Sequence, residues 1–158
     1  MGAAYFYHLT QQPMEQALPL LLDRAMAQGW RIAVRGSDPA RLKRLDRLLW
    51  SGAEDGFLPH GLAGGPHDAL QPVLLSHSAG EVNGPACVMS IDGAEIAPDE
   101  VRRLERACIL FDGHDPTALD RARSQWVALT KAGCAAQYWS QESGRWKKKQ
   151  DRAETEAG

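Results

Sequence analysis

The chain has 158 residues, 44% apolar and 24% charged, with a formal net charge of −2. That length fits one domain whose core needs no disulfides. The charge excludes a whole-molecule field of the kind that gathers nucleic acid. No apolar run approaches the ~20 residues that span a bilayer.

In chain order, residues 5–9 (Tyr-Phe-Tyr-His-Leu) are short and aromatic-rich and predict a strand. Ahead of them no cationic segment leads into an apolar run, so no secretion signal is expected. Met14, Ala17, Leu18, Leu21, Leu22 and Ala25 recur at helical spacing and predict a helix over residues 13–28, stopped by Gly29. Residues 30–34 read as a second strand. Asp38 and Pro39 then stand at the cap and first position of a second helix, with Leu42, Leu45, Leu48 and Leu49 as its apolar face.

Residues 51–71 are rich in Gly, Pro and His and predict a long loop. Loops beyond ~12 residues are usually functional or disordered. Trp50 and then Phe57-Leu58-Pro59-His60 put large apolar side chains at its start, where neither helical nor strand period explains them. Such side chains need burial by the core or by another protein.

Residues 73–75 and 86–90 read as buried strands joined through a turn at 81–85. Residues 98–106 suggest a short helix and 107–111 another buried strand. Asp115-Pro116 opens a helix through Lys131, with Leu119, Ala122, Trp126 and Leu129 on one stripe and Gly133 as its stop. Residues 136–139 form an expected last strand, and 147–158 an expected disordered polar tail, leaving 1–146 as the domain. Strands alternating with helices predict a single-domain α/β fold, a mostly parallel sheet flanked by helices with nucleotide-binding-like topology.

Motifs for chemistry are sparse. Cys87, Cys108 and Cys134 are odd in number and form no CxxC, so buried free thiols in a reducing cytoplasm are expected. The first strand-to-helix turn, Leu9-Thr-Gln-Gln-Pro13, has no glycine, and the second, Arg35-Gly-Ser-Asp38, has one. Neither matches a phosphate-binding loop, and no cofactor is expected. His60 and His67 lack further ligands at metal spacing, so no metal site is expected. His8 and His114 have structural explanations, at a strand and before a helix cap. Ser76-His77-Ser78 is a polar loop without a nucleophile motif.

Asp112, His114 and Asp115 follow a strand, where α/β enzymes place catalytic groups, and keep a small enzyme as an alternative. Arg123 and Trp126 share a helix face, with Arg121 nearby. Arginine beside an aromatic suits a carboxylate with an adjoining apolar group. A solvated arginine flanking a core tryptophan is the simpler reading of that spacing. Trp146 with Lys147, Lys148 and Lys149 is a basic end bearing one aromatic, which leaves direct single-stranded DNA binding as a further alternative to a solvated tail.

Several blocks, taken in order, resemble one family: the chi subunit of bacterial DNA polymerase III. They are Phe6-Tyr7-His8-Leu9, Gly29-Trp30-Arg31, Leu45-Asp46-Arg47-Leu48-Leu49-Trp50 and Phe57-Leu58-Pro59-His60. Gln71-Pro72-Val73, Ala122-Arg123 with Trp126, Tyr138-Trp139 and Gly144-Arg145-Trp146 complete the likeness, which covers about residues 4–147. The resemblance implies a non-catalytic, cytoplasmic accessory subunit that meets DNA mainly indirectly. One face would bind the psi subunit, another clamp-loader subunit or an accessory helicase, through Trp50, Phe57, Leu58 and Pro59. Another would bind the acidic C-terminal tail of single-stranded DNA-binding protein, which ends in a phenylalanine carboxylate. There the resemblance implies that Arg123 holds the tail and Trp126 walls its pocket, with Leu119 and Arg121 on the same helix. His60 is read as a structural hydrogen-bonding residue.

Overall fold

The computed structural model describes residues 2–51, 60–77, 82–142 and 145–153. Eight strands form one sheet in the order β3-β4-β2-β5-β6-β1-β7-β8. They are β1 (Ala3–Leu9), β2 (Ile32–Arg35), β3 (Gly61–Leu62), β4 (Val73–Ser76), β5 (Cys87–Ser90), β6 (Arg106–Asp112), β7 (Ala135–Glu142) and β8 (Arg145–Arg152). Every neighbouring pair is parallel except β7 with β8. Strands β2, β4 and β5 are buried along their whole length, as a parallel sheet covered on both faces requires.

Four helices cover the sheet: α1 (Met14–Ala27), α2 (Pro39–Ser51), α3 (Pro98–Arg103) and α4 (Pro116–Lys131). The two cores they form are separate. Leu18, Leu22, Leu42 and Leu45 of α1 and α2 pack with Val34, Leu75 and Met89 on one face. Val101, Ala122 and Leu129 of α3 and α4 pack with Phe6, Val88 and Ile109 on the other. The alternation of inward residues along β1 explains the split: Phe6 points to one core, Tyr7 and Leu9 to the other.

The sequence signals at the helix ends act as expected. Asp38 accepts from the Ala40 amide at 3.0 Å, and Asp115 accepts from the Thr117 amide at 3.0 Å. Gly29 takes φ 81°, in the left-handed region that closes α1. A buried ion pair ties β2 to α3. Arg35 Nη2 lies 2.7 Å from Glu100 Oε2, and Arg35 Nη1 also donates to the Glu95 carbonyl at 3.1 Å. Asn83, in the expected turn at 81–85, is buried and donates to the carbonyls of Ile32 and Gln71, fastening the β4–β5 connection to β2.

Two elements differ from the sequence expectation. The long loop contains β3, two residues paired with β4, and a single 3-10 turn at Asp68–Leu70. Residues 147–152, expected as a disordered tail, belong to β8 and pair antiparallel with β7. An edge strand exposed along most of its length has no apolar alternation to betray it; the ladder to β7 supplies its order.

Candidate functional site

The first candidate region is the α4 surface. Ala122 and Leu129 face the core, which turns Leu119, Arg123 and Trp126 onto one flank of the helix and Arg121 onto the other. Trp126 is half-buried, its ring edge-on to Phe6 at 5.2 Å and to Tyr138 at 6.1 Å between centroids. Arg123 stands out from this aromatic pair with 77% of its side chain exposed, 3.8 Å from the equally exposed Asp120. Leu119 is half-buried at the border of the core. Val127, next to Trp126, is 55% exposed. The arrangement is a cation beside an apolar shelf.

Tyr138 is held from below. Its hydroxyl is 3.0 Å from His8 Nδ1, and the His8 ring stacks on Phe111 at 5.2 Å. Burial pushes the Tyr138 phenol up from its ordinary value, with Arg123 pulling the other way, so the ring is neutral at physiological pH. Burial also lowers the His8 imidazole, helped by the nearby His114. Gly113 is required here, because a Cβ on it would lie 2.1 Å from His8 Nε2.

Arg121 leaves this group. It reaches across the opposite flank to Gly93, whose added Cβ would sit 2.7 Å from Arg121 Nη1. It lines a cleft of about 770 Å³ at the carboxyl ends of the central strands. Arg121 and Arg123 thus lie on different flanks of α4, since residues two apart on a helix point ~200° apart.

The second candidate region is the C-terminal end of α2. Trp50 is 54% exposed, and its ring lies 4.3 Å from that of His60. His60 is itself 3% exposed, with Nε2 3.2 Å from both the carbonyl and the Oδ1 of Asp46. This matches its reading as a structural residue, and it props the tryptophan from beneath. Phe57, Leu58 and Pro59 lie outside the described residues. Leu48 is 39% exposed on the side of α2 away from Trp50.

The third region is the cleft. Strands β1 and β6 are neighbours, yet the chain leaves β1 toward α1 on one face and β6 toward α4 on the other. The crevice between such strands is where α/β proteins bind ligands. Asp112, His114 and Asp115 do line it. Each also has a local structural bond. Asp112 Oδ1 accepts from the His114 amide at 2.9 Å, His114 Nε2 lies 2.8 Å from the Thr10 carbonyl, and Asp115 caps α4. The cleft's cations are balanced by acids: Arg41 is 2.6 Å from Glu15 and 3.5 Å from Asp92. Burial raises the Asp92 carboxyl above its ordinary value, with Arg41 opposing.

Sequence reasoning missed a decisive residue here, Gln141. After β1 the amides of Thr10, Gln11 and Gln12 all turn toward its side-chain oxygen, at 3.1, 3.1 and 3.4 Å. Converging amides at this turn are how such folds cradle a phosphate. Here the protein's own amide takes them up. Gln141 is fixed in turn by Gln12, which accepts from its Nε2 at 2.9 Å, and by the Thr10 hydroxyl, which donates to its carbonyl at 2.9 Å. No local signal in the sequence announces this; Gln141 meets Thr10 only because β7 runs parallel beside β1.

Among the described residues, no cluster of three or more His, Cys, Asp and Glu could hold a metal ion. No described helix is long and apolar enough to cross a membrane.

Fold and sites together define an α/β protein with a mostly parallel sheet flanked by helices, the amides after its first strand taken up by its own glutamine and its outward helix surfaces carrying aromatic–cation and apolar features. Residues 1–137 match the family described as DNA polymerase III chi subunit, HolC, and the chain belongs to that family. A probable DNA polymerase III subunit chi from Rickettsia prowazekii (strain Madrid E) is 22% identical over 91 residues. That match covers 58% of this chain and 55% of the relative, so the chain spans about half the length of the curated relative it matches. The family is one of DNA replication.

Proposed function

We propose that this chain is a cytoplasmic, non-catalytic accessory subunit of the DNA polymerase III assembly. It works as an adaptor that joins the clamp loader to the acidic C-terminal tail of single-stranded DNA-binding protein. The observation that carries this reading is the separation of its two candidate surfaces. Trp50 ends α2, which packs on one face of the sheet, while Arg123 and Trp126 belong to α4 on the other. Two partners could therefore be held at once.

On the α4 side, the tail's terminal phenylalanine would lie against Trp126 and the Leu119 border, with its carboxylate on the Arg123 guanidinium. Exposed arginine beside a partly desolvated aromatic is the usual anchor of such contacts. On the α2 side, Trp50 with Phe57, Leu58 and Pro59 would take an apolar surface of psi, another clamp-loader subunit or an accessory helicase. The tethered glutamine of the cradle and the structural bonds of Asp112, His114 and Asp115 weigh against the enzyme alternative.

The test is affinity purification of the tagged chain from its own cytosol. Wild type should bring down both single-stranded DNA-binding protein and clamp-loader subunits. Arg123→Ala should lose only the first and Trp50→Ser only the second. Loss of both partners from either single variant would contradict a two-sided adaptor.

A further inference from the structure

On the face covered by α1 and α2, the sheet continues past those helices. Helix α1 reaches β2 and β6, whereas β1 and β7 receive α4 from the opposite side. At this end the surface is made by side chains of the strands themselves. Tyr5 stacks with Trp139 at 6.5 Å and 26°, and Tyr7 meets Trp146 edge-on at 5.1 Å. The Arg106 guanidinium lies over Tyr5 at 4.1 Å and reaches Trp30 at 5.2 Å. Tyr5, Trp30, Trp139 and Trp146 are each only half-buried. A row of rings separated by a few ångströms therefore crosses from the start of β2 to β8.

Charge follows the same line. A recess of about 150 Å³ opens among Trp30, Trp139 and Trp146, and its lining includes Arg24 and Arg106 but no carboxylate. On the face of the rings strand β8 presents Lys148, whose Nζ lies 2.9 Å from Asp151 Oδ2, while Arg145, Lys147 and Arg152 alternate to the other face. Lys148 stands opposite Trp139 in the ladder, so a cation sits directly beside the rings. Arg24, Arg106 and Lys148 thus border the rings with cations in a chain whose net charge is −2.

We propose that this strip is a stacking platform for single-stranded nucleic acid. Bases would lie on the exposed parts of Trp139 and Trp146, one of them entering the recess, while Lys148 and Arg24 meet the backbone phosphates. Repeated aromatic faces flanked by cations are the means by which single strands are held without regard to sequence. A duplex hides its base faces and cannot use the rings. The site is distinct from the α4 surface, since Trp126 and Tyr138 belong to the other core and Trp139 and Trp146 to this one.

The probe is a fluorescein-labelled oligothymidine of about twenty nucleotides, followed by anisotropy at low salt together with quenching of the protein's tryptophan emission. Wild type should bind and quench, with affinity falling as salt rises. Trp146→Ala and Lys148→Glu should each weaken binding by about five-fold or more, in keeping with the loss of one stacked base or one phosphate contact. Lys148 is exposed and its pair with Asp151 is a solvated i,i+3 contact, so its variant folds even if the tryptophan variant does not. A duplex of the same length should bind distinctly more weakly. The proposal is overturned by affinity unchanged in Lys148→Glu, by equal binding of duplex, or by Trp146-dependent quenching with an acidic phenylalanine-containing peptide and none with the oligonucleotide.

Discussion

Replacing Arg123 with alanine separates recognition from stability. Its side chain is 77% exposed, and its ion pair with Asp120 is long and solvated, with an i,i+3 spacing. Such a pair contributes at most ~0.5 kcal/mol to the fold. For a domain of this size that is a melting shift of no more than about 2 °C. The proposed contact with a terminal carboxylate is another matter. A charge-assisted hydrogen bond is worth about 1.5–3 kcal/mol, which is roughly ten- to a hundred-fold in Kd. Isothermal calorimetry with a synthetic acidic peptide ending in phenylalanine should show that loss at an unchanged melting temperature. Trp126→Ala should lose both binding and stability, because its ring packs on Phe6 and Tyr138. Undiminished affinity in Arg123→Ala, with the fold intact, would refute the assignment of the tail to α4.

Three further outcomes are expected. Gln141→Ala should leave three amides without their acceptor, lowering stability by about 1–3 kcal/mol. Phosphate or sulfate should raise the melting temperature of that variant and not of wild type. Burial keeps the His8 pKa below its unfolded value of 6.5, so between those two pKa values the unfolded chain binds a proton that the folded chain refuses. Stability measured by urea titration should therefore fall as pH drops through 6.5, and His8→Asn should flatten the fall. For Glu100, burial alone would raise the carboxyl, but hydrogen bonds from Arg35 and the Ala97 amide hold it below its ordinary 4.5. The stability it contributes is present above pH 4.5 and lost as pH falls through the folded value. Glu100→Ala, which strands the buried Arg35, should cost about 3 kcal/mol in chemical denaturation.

The central architecture could be read from residues because local rules and tertiary packing agree there. Buried strands such as Val73–Ser76 and Cys87–Ser90 are continuous apolar runs, and the Asp38 and Asp115 caps use the side chains that helix ends select. What escaped was long-range or lacked a period. Strand β8 holds one tryptophan among polar residues and takes its order from β7. The Gln141 plug joins positions about 130 apart in sequence. For the site, Arg123 with Trp126 was legible as an i,i+3 pair, and His60 as a structural residue. Placing Arg121 in the cleft needed the helix phase, which the buried Ala122 and Leu129 set. Trp30, Trp139 and Trp146 converge only through the strand order.

An open sheet ends in two edges, and each edge is a template on which a second copy could pair. This one ends in β3, which is two residues long, and in β8, which carries three consecutive lysines. Brevity and like charge are both means of discouraging edge-to-edge association. The lysines of β8 would thus keep identical chains apart in solution. Removing their charge should expose the molecule to self-assembly along that edge before it weakens the fold.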